Sequence, residues 1–354
     1  VKKIYRTVFV ALAIVNLVFG ILAGLGRLGW SFPVTGAIVH HGAIMVGGFL
    51  GTLVSLEKVI PLKKKAYLLI PVISASGIIA FSNGQFETGT ILLITASAGL
   101  AGIYLIYLGR QGEYYLYLMF TGAVCWCIGN VMLLSQRFYP IAFPWWMGFL
   151  LFTIVSERLE LSKFLPVTRA AKIFLLGSLG LFLIGLIVPF HGPGTYFSGT
   201  ALVLISLWLL RYDIVRVNIR KEGLTRFTGY ALIFGYTAML LDGIFLMTFP
   251  EVPYAYDAIV HTFFLGFVFS MIFAHGPIIL PGVLGISGKP YHPFLYVPLF
   301  TMAFSVLMRI TADAGILPEP FRMVSGWLSA SAILLYFLTL ITITIRSIRN
   351  ARLL

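Results

Sequence analysis

Apolar residues along this chain gather in runs of about 20, each long enough to cross the hydrocarbon core of a bilayer. Short polar segments punctuate them. Twelve such runs stand out, at about 5–26, 37–60, 66–82, 88–109, 114–135, 144–160, 171–189, 196–213, 227–249, 256–280, 293–313 and 321–345. They are numbered below as spans 1 to 12. Span 6 is the least regular, because Glu157, Arg158 and Glu160 intrude on its end. The connections are short, and several carry turn and aromatic signals: GWSFP at 29–33, YPIAFPWW at 139–146, PFHGPG at 189–194 and FPEVPY at 249–254. The pattern predicts an all-α, polytopic membrane protein forming a single transmembrane domain over residues 1–354, with no linker and no evident internal repeat. Span 1 lacks a small-residue cleavage site and reads as a retained helix.

Composition agrees. The chain is 59% hydrophobic and 10% charged, with a mean hydropathy of +0.98, a balance that excludes a soluble domain. The net charge of +13 resembles a nucleic-acid footprint until it is sorted by side. If the N-terminus is inside, all but four of the 25 basic residues fall on the cytoplasmic side, the exceptions being Arg27, Arg137, Arg309 and Arg322. That split follows the positive-inside rule and predicts both termini in the cytoplasm. The basic excess therefore speaks of topology in the cell's inner membrane and of contact with anionic lipid. It does not speak of nucleic acid. The two cysteines, Cys125 and Cys127, point about 200° apart on a helix, so they read as small buried hydrophobes and exclude a disulfide framework.

Candidate chemistry is concentrated in two spans. Span 10, YDAIVHTFFLGFVFSMIFAHGPIIL, carries His261 and His275. Fourteen residues apart in an α-helix, they lie within about 40° of one another and roughly 21 Å apart along one face, together with Asp257, Phe264, Leu265, Val268 and Ile272. The opposite face carries Gly266, Ser270 and Ala274, a small-residue stripe suited to a close helix neighbour. Span 2 opens VHHGAIMVGGFLGTL, placing His40 and His41 three to five residues inside it, at a depth that matches His261. Its Gly42, Gly47, Gly48 and Gly51 leave room for a flat macrocycle or another backbone. Ionisable side chains inside a membrane are costly and mark function, and neutral imidazoles in an apolar setting are how haem iron is held. Adjacent histidines diverge by 100°, so one haem takes either His40 or His41. His41 is preferred because it directly precedes Gly42.

Three further residues complete the candidate set. Arg309 and Arg322 bracket the connection between spans 11 and 12, where they can meet haem propionates, although Arg309 is also spaced for an i,i+4 salt bridge with Asp313. Asp242 lies deep in span 9. It can be a proton acceptor, a partner for a ligand histidine's second nitrogen, or a neutral buried acid, and the sequence does not choose among these. No C-x-x-C-H motif is present, so haem would be the non-covalent b type.

Twelve spans with histidines at the outer ends of spans 2 and 10 resemble the catalytic subunit of the haem–copper oxidases, where those helices hold the low-spin haem and arginines after span 11 hold propionates. The resemblance stops short of the copper site, since span 6 has no histidine and span 7 no histidine pair, and short of the active-site haem, since His261 has no second histidine two residues away. The closer likeness is to the NnrS family, twelve-span proteins containing haem and copper and linked to nitric oxide. Its features here are HHGAIMVGGFLGTL and DAIVHTFFLGFVFSMIFAHGPIILPGV. The resemblance implies haem b and admits copper, whose ligands it does not place. A third, local likeness is to cytochrome b helices, whose H-x13-H spacing holds one haem near each membrane face, and this would make His275 the ligand of a second, inner haem.

The leading expectation is therefore a haem b protein of NnrS type, with iron held between spans 2 and 10 by His41 and His261 and handling nitric oxide or another small diatomic ligand, a possible oxidoreductase. The alternatives are a b-type cytochrome that passes quinol electrons, with or without an electron-donor subunit, and a proton-coupled solute transporter with no cofactor.

Overall fold

Helices long and apolar enough to cross a membrane form at all twelve expected positions: Arg6–Arg27, His41–Leu62, Lys65–Ser82, Phe86–Leu108, Tyr114–Gln136, Tyr139–Leu161, Arg169–Ile187, Phe190–Tyr212, Gly223–Thr248, Ala255–Leu284, Pro293–Asp313 and Pro320–Arg346. The computed structural model describes residues 3–161, 165–248, 254–285 and 288–353, and no strand occurs among them. The chain is an all-α, multi-pass membrane protein. The turn expected at 249–254 lies outside the described residues except for Tyr254, and so do Lys2 and Lys163.

Two spans carry a π-helical segment in mid-span, and they are the two that carry the candidate histidines; span 8 opens on a third, at Phe190–Gly194. Span 2 runs as a π-helix over Ile44–Gly51, and span 10 does so over Thr262–Val268. The wider i→i+5 turn disturbs the α-helical bonding pattern and recurs at functional sites. In span 2, Ser74 of span 3 donates its hydroxyl to the Gly47 carbonyl at 2.8 Å. In span 10, Ser270 donates to the Gly266 carbonyl at 2.6 Å. The separation of His261 and His275 expected for a pure α-helix therefore does not carry over, since seven of the intervening residues are π-helical.

Span 2 also begins later than its hydrophobic run. A one-turn helix at Thr35–Ile38 is followed by a turn at Val39 and His40, and the span proper starts at His41. His40 is therefore the residue before the helix, a correction to its expected place inside the span. The apolar run alone cannot register this break, because Ile38 and Val39 are as hydrophobic as the helix they precede. Span 6 starts earlier than expected, at Tyr139, with Pro144 inside its first turns. Pro144 lies past the first turn, so the helix lacks an N–H there for the carbonyl four residues back.

The chain divides into two compact units, residues 1–159 with 283–285, and residues 160–282 with 286–354. In the first unit, polar groups tie the helices together. Asn16 of span 1 donates to the Ala75 carbonyl of span 3 at 3.2 Å. Asn130 of span 5 donates to the Leu93 carbonyl of span 4 at 3.2 Å and accepts from Trp146 Nε1 of span 6 at 3.0 Å. Such bonds contribute about 0.6 kcal/mol each between membrane helices. Trp126 stacks on Phe149 with ring centroids 4.8 Å apart and fills the space left by Gly51.

The second unit is built on close backbone approach. Gly199 of span 8 and Gly243 of span 9 each face the other's carbonyl oxygen, so a side chain at either position would strike backbone. The stripe read on span 10 meets span 9: Gly266 packs on Ala238, Ser270 lies against Gly235, and Thr228 donates to the Ala274 carbonyl at 3.2 Å. Span 12 joins through Tyr336, which donates to the Phe273 carbonyl at 2.9 Å and stacks on the Phe273 ring.

Candidate functional site

The second unit gathers Asp257, His261, Arg309 and Arg322, all named from the sequence, into one cluster with Asp313. Helical spacing places Asp257 one turn before His261, and the imidazole turns back toward it. Nδ1 lies 2.9 Å from the Asp257 carbonyl oxygen and 3.3 Å from its Oδ1. Proximity to two oxygens makes Nδ1 the protonated nitrogen and leaves the lone pair on Nε2. Nε2 hydrogen-bonds no described residue.

Arginines from spans 11 and 12 fix Asp257 in turn. Arg309 approaches Asp257 Oδ2 with Nε at 2.7 Å and Nη2 at 2.5 Å, and Arg322 Nη2 is 3.3 Å from the same oxygen. Arg309 Nε also reaches Asp313 Oδ2 at 3.2 Å, and Arg322 Nε donates to Asp313 Oδ1 at 2.7 Å. The i,i+4 pair of Arg309 and Asp313 is therefore formed, inside a larger network. Arg309 Nη1 points to the Arg322 carbonyl and Ser325 Oγ at 3.4 and 3.5 Å. The Arg322 guanidinium lies over the Tyr254 ring, 3.8 Å from its centroid. Two arginines face two carboxylates, so the cluster is neutral overall when His261 is neutral. Charge balance of this kind is what permits ionised groups to be buried.

His261, Phe264, Leu265, Ile272 and His275 are half-buried, whereas most of the residues between them are buried. The histidine face of span 10 is thus its less covered face. His275 repeats the anchoring of His261 at the other end of the helix, with Nδ1 donating to the Met271 carbonyl at 2.7 Å. Asp242 stands apart from the cluster, fully buried on span 9.

In the first unit, His41 donates through Nδ1 to the Gly20 carbonyl of span 1 at 2.7 Å, which again leaves the lone pair on Nε2. Its ring lies on Gly24, where a Cβ would come within 2.7 Å of Cε1. The Gly20/Gly24 pair in GILAGLG was not singled out from the sequence, although its i,i+4 spacing is the legible sign of a helix face kept bare. His40 takes another role: Nδ1 lies 2.8 Å from the Tyr139 hydroxyl, and the ring packs against Phe81 and Phe86. Of the glycines proposed to admit a macrocycle, Gly47, Gly48 and Gly51 are covered by Leu93, Asn16 and Trp126. Helix packing is what they serve.

Sequence reasoning also missed a charged cluster at the far end of span 2. Lys58 Nζ contacts Glu57 Oε1 at 2.7 Å and Glu157 Oε1 at 2.9 Å, and Tyr107 donates to the Lys58 carbonyl at 2.8 Å. This explains how span 6 carries Glu157. Cys125 is buried and Cys127 half-buried, both as free thiols. Among the described residues, no group of three or more His, Cys, Asp or Glu side chains forms a metal-binding cluster, so no copper ligands are assigned.

Residues 6–345 match the family described as a domain of unknown function, DUF8744. The chain belongs to the DUF8744 family. No curated protein and no solved structure matches it.

Proposed function

We propose that this DUF8744 protein binds haem b in the membrane, with His261 and His41 as its candidate ligand histidines, and handles nitric oxide or another small diatomic molecule in the manner of the NnrS family. The observation that carries the reading is the anchoring of His261 by Asp257. A ligand imidazole needs its second nitrogen hydrogen-bonded, which fixes the tautomer and ring orientation and raises the basicity of the ligating nitrogen. His261 has that partner twice over, and the partner is itself held by two arginines. His41 has the equivalent bond to Gly20. Bound haem would supply an iron centre for the diatomic ligand, and the chain would hold it through histidine nitrogens. Arg309 spends its donors on Asp257, Asp313, Ser325 and the Arg322 carbonyl, so Arg322 is the better placed of the two to meet a propionate.

The inner (cytoplasmic) membrane, with both termini in the cytoplasm, and an electron donor on a separate subunit belong to this reading. The second reading is a quinol-linked b-type cytochrome with two haems. What favours it is His275, whose Nδ1 bond to Met271 repeats that of His261.

The test is the absorption spectrum of protein purified from haem-replete cells, with pyridine haemochrome quantitation. A b-type spectrum lost in His261→Ala supports the reading. Colourless wild-type protein, or full haem content in both His261→Ala and His41→Ala, overturns it. Loss of half the haem in His275→Ala would establish the two-haem reading instead.

A further inference from the structure

Asp242 is wholly buried in span 9, and neither of its carboxyl oxygens has a hydrogen-bond partner among the described residues. The other three aspartates are all engaged. Asp213 accepts from the Tyr236 hydroxyl at 2.6 Å, while Asp257 and Asp313 pair with arginines. A second polar atom shares this condition. Thr262 is 1% exposed and its Oγ1 has no partner either. Helical threonines elsewhere in the chain, such as Thr153, Thr311 and Thr344, place the hydroxyl on the carbonyl four residues back. Thr262 does not.

Packing register puts these two groups at one level. Span 9 runs against span 10 with Gly235 opposite Ser270 and Ala238 opposite Gly266. One turn further along span 9 is Asp242, and one turn back along span 10 is Thr262. On a helix, Asp242 falls about 20° from Gly235 and about 40° from Ala238, so it lies on the face that meets span 10. Thr262 extends the stripe of Gly266, Ser270 and Ala274. It is also the first residue of the π-helical segment, where the backbone departs from its regular bonding.

An isolated carboxylate in a membrane interior costs several kcal/mol unless it is neutralised. A hard cation such as calcium takes six or more oxygens, whereas this site offers two side-chain groups. A proton needs only one. We propose that Asp242, with Thr262 across the seam between spans 9 and 10, is a membrane-embedded proton-binding site that exchanges its proton with the aqueous phase. A hydroxyl both accepts and donates. When local opening of the seam admits water, Thr262 takes a proton from hydronium and passes its own to the carboxylate once its side chain turns toward it. Reversal returns the proton to water, and no heavy-atom bond changes.

Titratable groups on the helices packed against span 9 are His191, Tyr196, Arg211 and Tyr212 on span 8, Arg216 on the short helix Val215–Asn218, Tyr256, Asp257, His261 and His275 on span 10, and Tyr296, Arg309 and Asp313 on span 11. None is within hydrogen-bond distance of Asp242. The proposal does not use haem: the group that titrates is Asp242 on span 9, and Thr262, although next to His261 in sequence, belongs to the face of span 10 that packs on span 9.

Infrared spectroscopy of the full chain in lipid vesicles tests it. A carboxylic-acid C=O band should be present in the wild type, shift on transfer to heavy water, and be lost in Asp242→Asn. In Thr262→Val the band should remain and exchange severalfold more slowly. Isotope-labelled aspartate identifies the band without any substitution, so a variant that fails to fold does not remove the test. Absence of an aspartic-acid band in the labelled wild type, its persistence in folded Asp242→Asn, or its failure to shift in heavy water would each overturn the proposal. Wild-type exchange in Thr262→Val would remove Thr262 from it.

Discussion

Asp257 holds His261 through both its backbone and its side chain, with the imidazole Nδ1 2.9 Å from the carbonyl oxygen and 3.3 Å from Oδ1. Its other carboxylate oxygen takes Arg309 and Arg322. A single residue therefore links the histidine of span 10 to the arginines of spans 11 and 12, and the orientation of one ring is set by three helices.

Arg309→Ala should destabilise the protein by about 3–5 kcal/mol, the cost of breaking a buried ion pair from one side, since its side chain is 6% exposed. Arg322→Ala and Asp257→Asn should each cost less, at 17% and 23% exposed, although Asp257→Asn leaves both arginines to share Asp313. Thermal unfolding in detergent ranks the three. Wild-type stability in Asp257→Asn would show that the network is incidental. If haem is bound, the same variant should weaken its affinity by about 10–100-fold.

Span positions were almost fully legible in the sequence because about 20 apolar residues in a row have few other uses. The breaks within spans were not. The turn at Val39 and His40 and the two π-helical segments lie inside uninterrupted apolar runs, so hydropathy carries no mark of them. The Asp257–His261 pair was legible as an i,i+4 spacing. Its arginine partners were visible as residues, but their convergence depends on how spans 10 to 12 pack. Gly24 went unremarked because span 1 carries no polar residue at that level to draw attention to the surface it leaves bare. Lys58 read as a topology signal. Its pairing with Glu157, 99 positions away, is a tertiary fact that no local pattern encodes.

Lys58→Met should leave Glu57 and Glu157 without their shared cation and lower the melting temperature. Glu157→Gln in the same background should restore part of the loss, with a coupling energy of about 0.5–3 kcal/mol in a double-mutant cycle. Strict additivity of the two substitutions would mean that the 2.9 Å contact does no work in the membrane.

Reporter fusions after residues 64 and 221 should read cytoplasmic, and fusions after 139 and 192 non-cytoplasmic. The basic residues flanking each pair set this expectation. One inverted reporter would locate the span at which the assignment fails.

Gly24→Val separates the role of His41 from its identity. The imidazole lies on Gly24, and a Cβ there would come within 2.7 Å of Cε1 and 3.0 Å of Nδ1. His41 cannot keep both its place and its 2.7 Å bond to the Gly20 carbonyl once that space is filled. Overpacking of this kind costs about 1–3 kcal/mol, so the variant should fold with a modestly lowered melting temperature. If His41 holds the haem, the variant's spectrum should resemble that of His41→Ala although the histidine is still present. Substitution at Gly102 of span 4, where a Cβ meets nothing within 4 Å, is the matched control and should leave stability and spectrum as in the wild type. A Gly24→Val protein with wild-type haem content and an unaltered spectrum would show that the position of His41 on span 1 does not matter to the cofactor, and would leave His261 as the residue on which the haem reading depends.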